Sequence, residues 1–200
     1  MTFEIRPRGD MHPHLPVQIM DGMQTSTDIE VLTDPSSSRR VENDDMWEPG
    51  QRRIGGYFLP PFQRPLEWTT EQKERLVESA LLGISIGSIV VVDAINCPMP
   101  SPDRFARTDR WLIDGQQRCN ALIEYRQNNL TVFRGTQCEH RWEDLTVHEQ
   151  RRFWRTQIGV IKVRTDDVAY CAELYNRLNF GGTAHREDQR AKVEDYRCGS

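Results

Sequence analysis

Ile113-Asp114-Gly115-Gln116-Gln117-Arg118 is the stretch on which the fold turns. An apolar run, Trp111-Leu112-Ile113, leads into it and reads as a buried strand. Cys119-Asn120-Ala121-Leu122-Ile123-Glu124-Tyr125 follows and reads as a helix with Ala121, Leu122 and Tyr125 on one face. A strand that stops at Asp-Gly and enters a helix leaves backbone N–H groups unpaired at the helix start, with the positive end of the helix dipole behind them. Such a turn is a ready anion site, and phosphate fills it more often than any other biological anion. Arg118 adds a permanently charged fork of donors. Asp114 can hold a metal ion or accept a proton. The same residues also make sense as a plain turn, with Asp114 as cap, Gly115 for the bend, and Gln and Arg at the surface.

Working outward, Pro60-Pro61-Phe62-Gln63-Arg64-Pro65 must be irregular and stiff, because each proline restricts itself and its predecessor. Thr69-Thr70-Glu71-Gln72 after Trp68 has the form of a capping box, and Leu76, Val77, Ala80 and Leu81 predict the apolar stripe of a helix that Gly83 ends. The β-branched run over 88–95 predicts a buried strand, and 98–109 a loop. Residues 130–133 read as a short strand, 146–154 as a helix and 158–163 as a strand. A last helix is expected over 166–178, with Val168, Cys171, Ala172 and Tyr175 inward. Asn179-Phe180-Gly181-Gly182-Thr183 would end it with a left-handed glycine cap, and a charged, helical tail follows over 185–197. Strands and helices alternate imperfectly, which favours an α+β domain with a small mixed sheet over a doubly wound one.

Two hundred residues suit one domain with a genuine core. Residues 1–50 carry 4 basic and 10 acidic side chains, with five prolines and a Ser36-Ser37-Ser38 run. They read as an acidic, largely irregular arm, with short strands at 17–20 and 29–32 and disorder over 33–50, leaving residues 51–200 as the domain. No run approaches the roughly 18 apolar residues of a membrane span, and the start lacks the basic-then-apolar pattern of a signal peptide, so a cytoplasmic protein is expected. Five scattered cysteines with no CxxC pair suit reduced, structural thiols. Only three of the 26 basic residues are lysine; arginine suits bidentate phosphate or carboxylate recognition, but a GC-rich genome would give the same bias and is the expected source of most of it. The acidic balance argues against tight non-specific duplex binding.

There is no Walker A loop, HExxH, GxSxG or Cys–His nucleophile pair, and His12, His14, His140, His148 and His185 read as surface residues. Two further segments stand in order around the Asp-Gly-Gln-Gln-Arg turn: Gln63-Arg64-Pro65…Trp68 before it and Asn179…Gly181-Gly182-Thr183 after it. Taken singly, the first is a loop packing its aromatics and the second a helix cap. Taken together over about residues 54–190, they resemble the N-terminal domain of GmrSD-type restriction enzymes, the DGQQR family. That family is similar in turn to ParB and sulfiredoxin, so the resemblance implies a compact ParB/sulfiredoxin-like fold and nucleotide binding with hydrolysis. Whole members carry a second, nuclease domain, for which this length leaves no room. Cys119-Asn120 and His185 depart from the family's usual residues, which bears on substrate more than on fold.

The resemblance thus implies a nucleoside-triphosphate-binding phosphohydrolase or phosphotransferase (a kinase among the variants) using Mg²⁺, in phage or host DNA modification or restriction conflict. Asp114, Arg118 and Arg64 are the expected catalytic residues, with Asp114 the metal ligand. Gly115, Gln116, Gln117, Gln63 and Asn179 are expected to bind the nucleotide. Partners would be the nucleotide and DNA, with a homodimer or a host or phage protein as further partners, and no membrane. A non-catalytic nucleotide or nucleic-acid binding module, acting as restriction inhibitor or sensor, is the alternative. A metal-dependent ParB-like nuclease comes third.

Overall fold

Hydrophobic residues in consecutive positions along a strand require a sheet covered on both faces, and this is what Ser88-Ile89-Val90-Val91-Val92 meets. The computed structural model describes residue 20 and residues 22–33, 51–97 and 108–180. In chain order the elements are β1 (Met23–Asp28), α1 (Ile29–Thr33), β2 (Arg53–Ile54), β3 (Tyr57–Phe58), α2 (Thr70–Leu81), β4 (Ser88–Val92), β5 (Leu112–Asp114), α3 (Gln116–Arg126), α4 (Val147–Trp154), β6 (Gln157–Val163) and α5 (Val168–Phe180). Four strands form a mixed sheet in the order β1-β6-β4-β5. β6 runs parallel to β4, while β1 and β5 pair antiparallel at the two edges. β2 and β3 make a separate two-stranded hairpin.

The pleat sends alternate residues to opposite layers. Ile89, Val91, Leu112, Ile158 and Val160 join one cluster with Leu122 and Tyr125 of α3, Val77 of α2 and Phe153 of α4. Val90, Val92, Ile113 and Val163 join a second with Phe58, Phe62 and Cys171, Ala172 and Tyr175 of α5. The domain is therefore α+β, a small mixed sheet with helices on both faces.

α2 begins where its sequence says it should. Thr69 accepts the Gln72 N–H at 3.3 Å and Gln72 Oε1 accepts the Thr69 N–H at 2.9 Å, a complete capping box. Its buried face, however, includes a carboxylate: Glu74 is buried beside Val77 and Ala80, while Leu76 and Leu81 are only partly covered. The charge is tolerated because Arg134 Nε and Nη2 grip both Glu74 oxygens at 2.6–3.1 Å and the Thr131 N–H adds a third donor at 3.1 Å.

Several expectations need correction. Residues 29–32 form the helix α1, not a strand, with Ile29 and Leu32 fully buried in the larger cluster. The strand in this region is β1, which adds to β6 from Met23↔Lys162 to Asp28↔Gln157. Residues 23–33 are therefore part of the same fold as the rest; most of the expected arm, including 17–19 and 34–50, lies outside the described residues. Residues 130–133 contribute one bridge, Val132 to His140, in place of a strand. The last helix begins and ends two residues later than expected, so Asn179 sits within α5; the glycine cap and the tail fall outside the described residues.

Candidate functional site

β5 delivers Asp114 beside the start of β4, and Gly115 turns the chain into α3. Gly115 has φ +105°, a conformation open chiefly to glycine. A Cβ there would lie 2.4 Å from Ile89 Cγ2, so close packing forbids it as firmly as the backbone does. A glycine N-cap has no side chain to satisfy the helix start, and α3 indeed carries no side-chain cap. Its first N–H groups stand ready for an external acceptor.

Arg118, one turn into α3, folds back over this end. Its Nη2 donates to Asp114 Oδ2 at 2.7 Å and to the Ser88 carbonyl at 2.6 Å. The pair is only partly exposed, with 22% of the Arg118 and 35% of the Asp114 side chain open to solvent. Arg118 Nε is buried and has no hydrogen-bond partner among the described residues. The neighbouring Cys119 is no nucleophile: it is fully buried, and burial pushes its thiol up to about 12.

The loop before α2 is held against this turn by amide groups. Gln63 donates Nε2 to the Leu112 carbonyl at 3.3 Å, and Arg52 donates to the Gln63 carbonyl at 2.5 Å. Gln63 Oε1 is buried and has no partner among the described residues. Gln117 spends its whole amide on the loop, giving Nε2 to the Pro65 carbonyl at 3.2 Å and accepting the Trp68 N–H at 3.4 Å. Gln117 is thus a strut between α3 and the loop. Arg64 is left at the rim, bonded to Glu67 at 3.4 Å. From the opposite layer, α5 brings Asn179, whose Nδ2 bonds back to the Tyr175 carbonyl at 3.0 Å.

One cleft collects these groups. It holds about 100 Å³ and is lined by Gln63, Arg64 and Trp68 of the loop, residues 114–118 of the turn, and Asn179. The eight residues expected to be catalytic or to bind the nucleotide line it, while Gly181, Gly182 and Thr183 lie outside the described residues; Trp68 lines it too, although the sequence suggested only core packing for that ring. The volume suits a phosphate-sized group and falls well short of the roughly 300 Å³ at which pockets for drug-sized ligands begin.

The donor set favours an anion over a bare cation. Two guanidinium groups and a helix start face one carboxylate, and that carboxylate already accepts from Arg118. Among the described residues no three His, Cys, Asp or Glu side chains gather into a metal cluster. Mg²⁺ commonly rests on one or two carboxylates plus phosphate oxygens and water. Asp114 fits such an ion only in the company of a bound phosphate.

The family described as GmrSD restriction endonuclease, N-terminal domain, matches residues 50–189. No curated protein and no solved structure matches the chain. Among the described residues no helix is long and apolar enough to cross a membrane.

Proposed function

The chain belongs to the GmrSD restriction endonuclease N-terminal domain family, and from that premise we propose that its cleft binds the phosphates of a nucleoside triphosphate and catalyses phosphoryl transfer, to water or to an acceptor hydroxyl. The observation that carries this reading is the meeting of three segments far apart in sequence, 63–68, 114–118 and 179, around one phosphate-sized space at an uncapped helix start.

Phosphoryl transfer needs positioning and charge stabilisation more than covalent help. The α3 N–H groups receive phosphate oxygens. Arg118 and Arg64 neutralise charge that grows on the transferred group. Gln117 acts at one remove, by holding the loop that carries Arg64. A phosphate reaching Arg118 competes with Asp114 for the same donors and so frees the carboxylate. Asp114, together with phosphate oxygens, would then hold Mg²⁺, which supplies further charge neutralisation when bound. The base and sugar extend outside a cleft of this size. In a restriction-type family the polymer concerned is DNA, and nucleotide turnover would serve its modification or cleavage.

A second reading is binding without turnover, favoured by the Asp114–Arg118 pair itself, since it occupies the carboxylate that catalysis would use. Calorimetric titration of nucleoside triphosphates into the wild type and Arg118→Ala, with and without Mg²⁺, tests both. Either reading requires binding that the variant weakens; only the enzyme reading requires phosphate release.

A further inference from the structure

Of the four described tryptophans, three are packed into the core. Trp111 belongs to the cluster that α5 covers and meets Phe62 edge-on, 5.8 Å between ring centroids. Trp142 and Trp154 pack against the larger cluster, with 5.7 Å between their own centroids. Trp68 joins neither cluster and, among the described residues, pairs with no other ring. It is half-buried and lines the Asp114–Arg118 cleft. An indole is a large apolar payload, and a chain that keeps one out of its core forgoes much burial; tryptophans so placed gather where a partner covers them.

The backbone under this ring is fixed from two sides. Its N–H donates to Gln117 Oε1 at 3.4 Å, and Gln117 Nε2 donates to the Pro65 carbonyl at 3.2 Å, which ties 65–68 to the helix whose start faces the cleft. The next residue, Thr69, caps α2. A ring mounted in this way is a flat surface with little freedom left to lose when something binds.

The cleft of about 100 Å³ has room for phosphate and leaves a base outside it. Its lining is otherwise Gln, Arg, Asp, Gly and Asn, so Trp68 supplies the one aromatic face that it offers among the described residues. Every nucleobase has a π-face, and stacking on an aromatic side chain adds affinity with little regard to base identity.

We propose that Trp68 is the platform on which the nucleobase of the bound triphosphate stacks while its phosphates reach the start of α3. The inference rests on the nucleotide reading above and deepens it. Trp68 supplies affinity for a base without reading the base's edges, so choice among bases falls to other groups.

The test is calorimetric titration, without Mg²⁺, of ATP and of inorganic tripolyphosphate into wild type, Trp68→Ala and Trp68→Phe. Trp68→Ala should weaken ATP binding by roughly five- to a hundredfold and leave tripolyphosphate, which has no base, within about twofold of wild type. Trp68→Phe keeps a smaller ring and should recover part of the ATP affinity. Fluorescence carries the test should Trp68→Ala fail to fold. ATP should quench part of the wild-type tryptophan emission, tripolyphosphate should not, and the quench should vanish in Trp68→Phe. Equal weakening of both ligands by Trp68→Ala would make the ring a prop for the loop, overturning the proposal and leaving the phosphate site standing. So would an ATP affinity that Trp68→Ala leaves unchanged, or a quench that survives in Trp68→Phe. Wild type that binds neither ligand would overturn the nucleotide reading, and this proposal with it.

Discussion

Arg118 and Asp114 hold each other at 2.7 Å across the turn into α3, so an arginine of the cleft is bound to the one carboxylate that lines it among the described residues. A ligand phosphate must displace one from the other. Asp114→Asn keeps the shape and removes the competing charge. In the absence of Mg²⁺ it should therefore tighten triphosphate binding, by up to about fivefold for a partly exposed pair worth about 1 kcal/mol. Arg118→Ala should weaken binding, by an amount set by the roughly 1.5–3 kcal/mol of a hydrogen bond to a charged group. Calorimetry on the two variants reads both signs; a loss of affinity in both would contradict competition.

Gly115→Ala should be destabilising beyond what its small size suggests. The left-handed backbone costs roughly 1–3 kcal/mol, and Ile89 must also move. Chemical denaturation of the variant measures this, and a change within about 0.5 kcal/mol of wild type, the range of harmless surface substitutions, would show that the turn relaxes freely.

Gln117 acts through the loop it holds. Gln117→Ala loses two hydrogen bonds worth roughly 0.5–1.5 kcal/mol each. If it places Arg64, then the Gln117→Ala and Arg64→Ala effects on nucleotide affinity should fall short of additive. Fully additive losses in the double variant would make Gln117 a direct ligand contact instead.

Glu74 predicts a pH dependence far from the cleft. Hydrogen bonds from Arg134, with a smaller one from the Thr131 N–H, hold its carboxyl below the ordinary 4.5 against the opposing effect of burial. A carboxylate with a depressed folded-state pKa stabilises fully above its unfolded pKa, and that stabilisation drains away as pH falls through the folded value. Wild type should thus lose stability as pH drops below about 4.5. Glu74→Gln should be less stable at neutral pH, by roughly 1.5–3 kcal/mol, and flatter on acidification. Parallel curves for the two proteins would remove Glu74 from the account.

The candidate site was legible in the sequence where residue type alone carries meaning. An Asp-Gly pair between an apolar strand and a helix can do little else than turn, and Gly115 turns with a positive φ. The order of Gln63-Arg64-Pro65, the turn and Asn179 marked segments that meet in space. What Gln117 does was hidden, because its partners Pro65 and Trp68 are set by how two segments 49–52 residues apart approach. β1 was missed for a related reason. Met23-Gln24-Thr25-Ser26-Thr27-Asp28 has almost no apolar alternation, and it becomes a strand through pairing with β6, more than a hundred residues away. The four-residue run at 29–32 is too short to show a helical period, so only its packing against α3 and α4 decides it.

The central claim is that this cleft transfers phosphate, and phosphate release tests it most directly. Wild type should release phosphate from at least one nucleoside triphosphate in the presence of Mg²⁺, in water or with a hydroxyl acceptor supplied. Arg118→Ala should lower that rate by about a hundred- to a thousandfold, a loss of roughly 2.7–4 kcal/mol of transition-state stabilisation, and by more than it weakens binding. Asp114→Asn should abolish the Mg²⁺-dependent rate while binding triphosphate, in the absence of Mg²⁺, at least as well as wild type. Tight binding by wild type with no release above background would contradict catalysis and leave a binding module. Wild-type rates in Asp114→Asn, Arg118→Ala and Arg64→Ala alike would contradict the site itself.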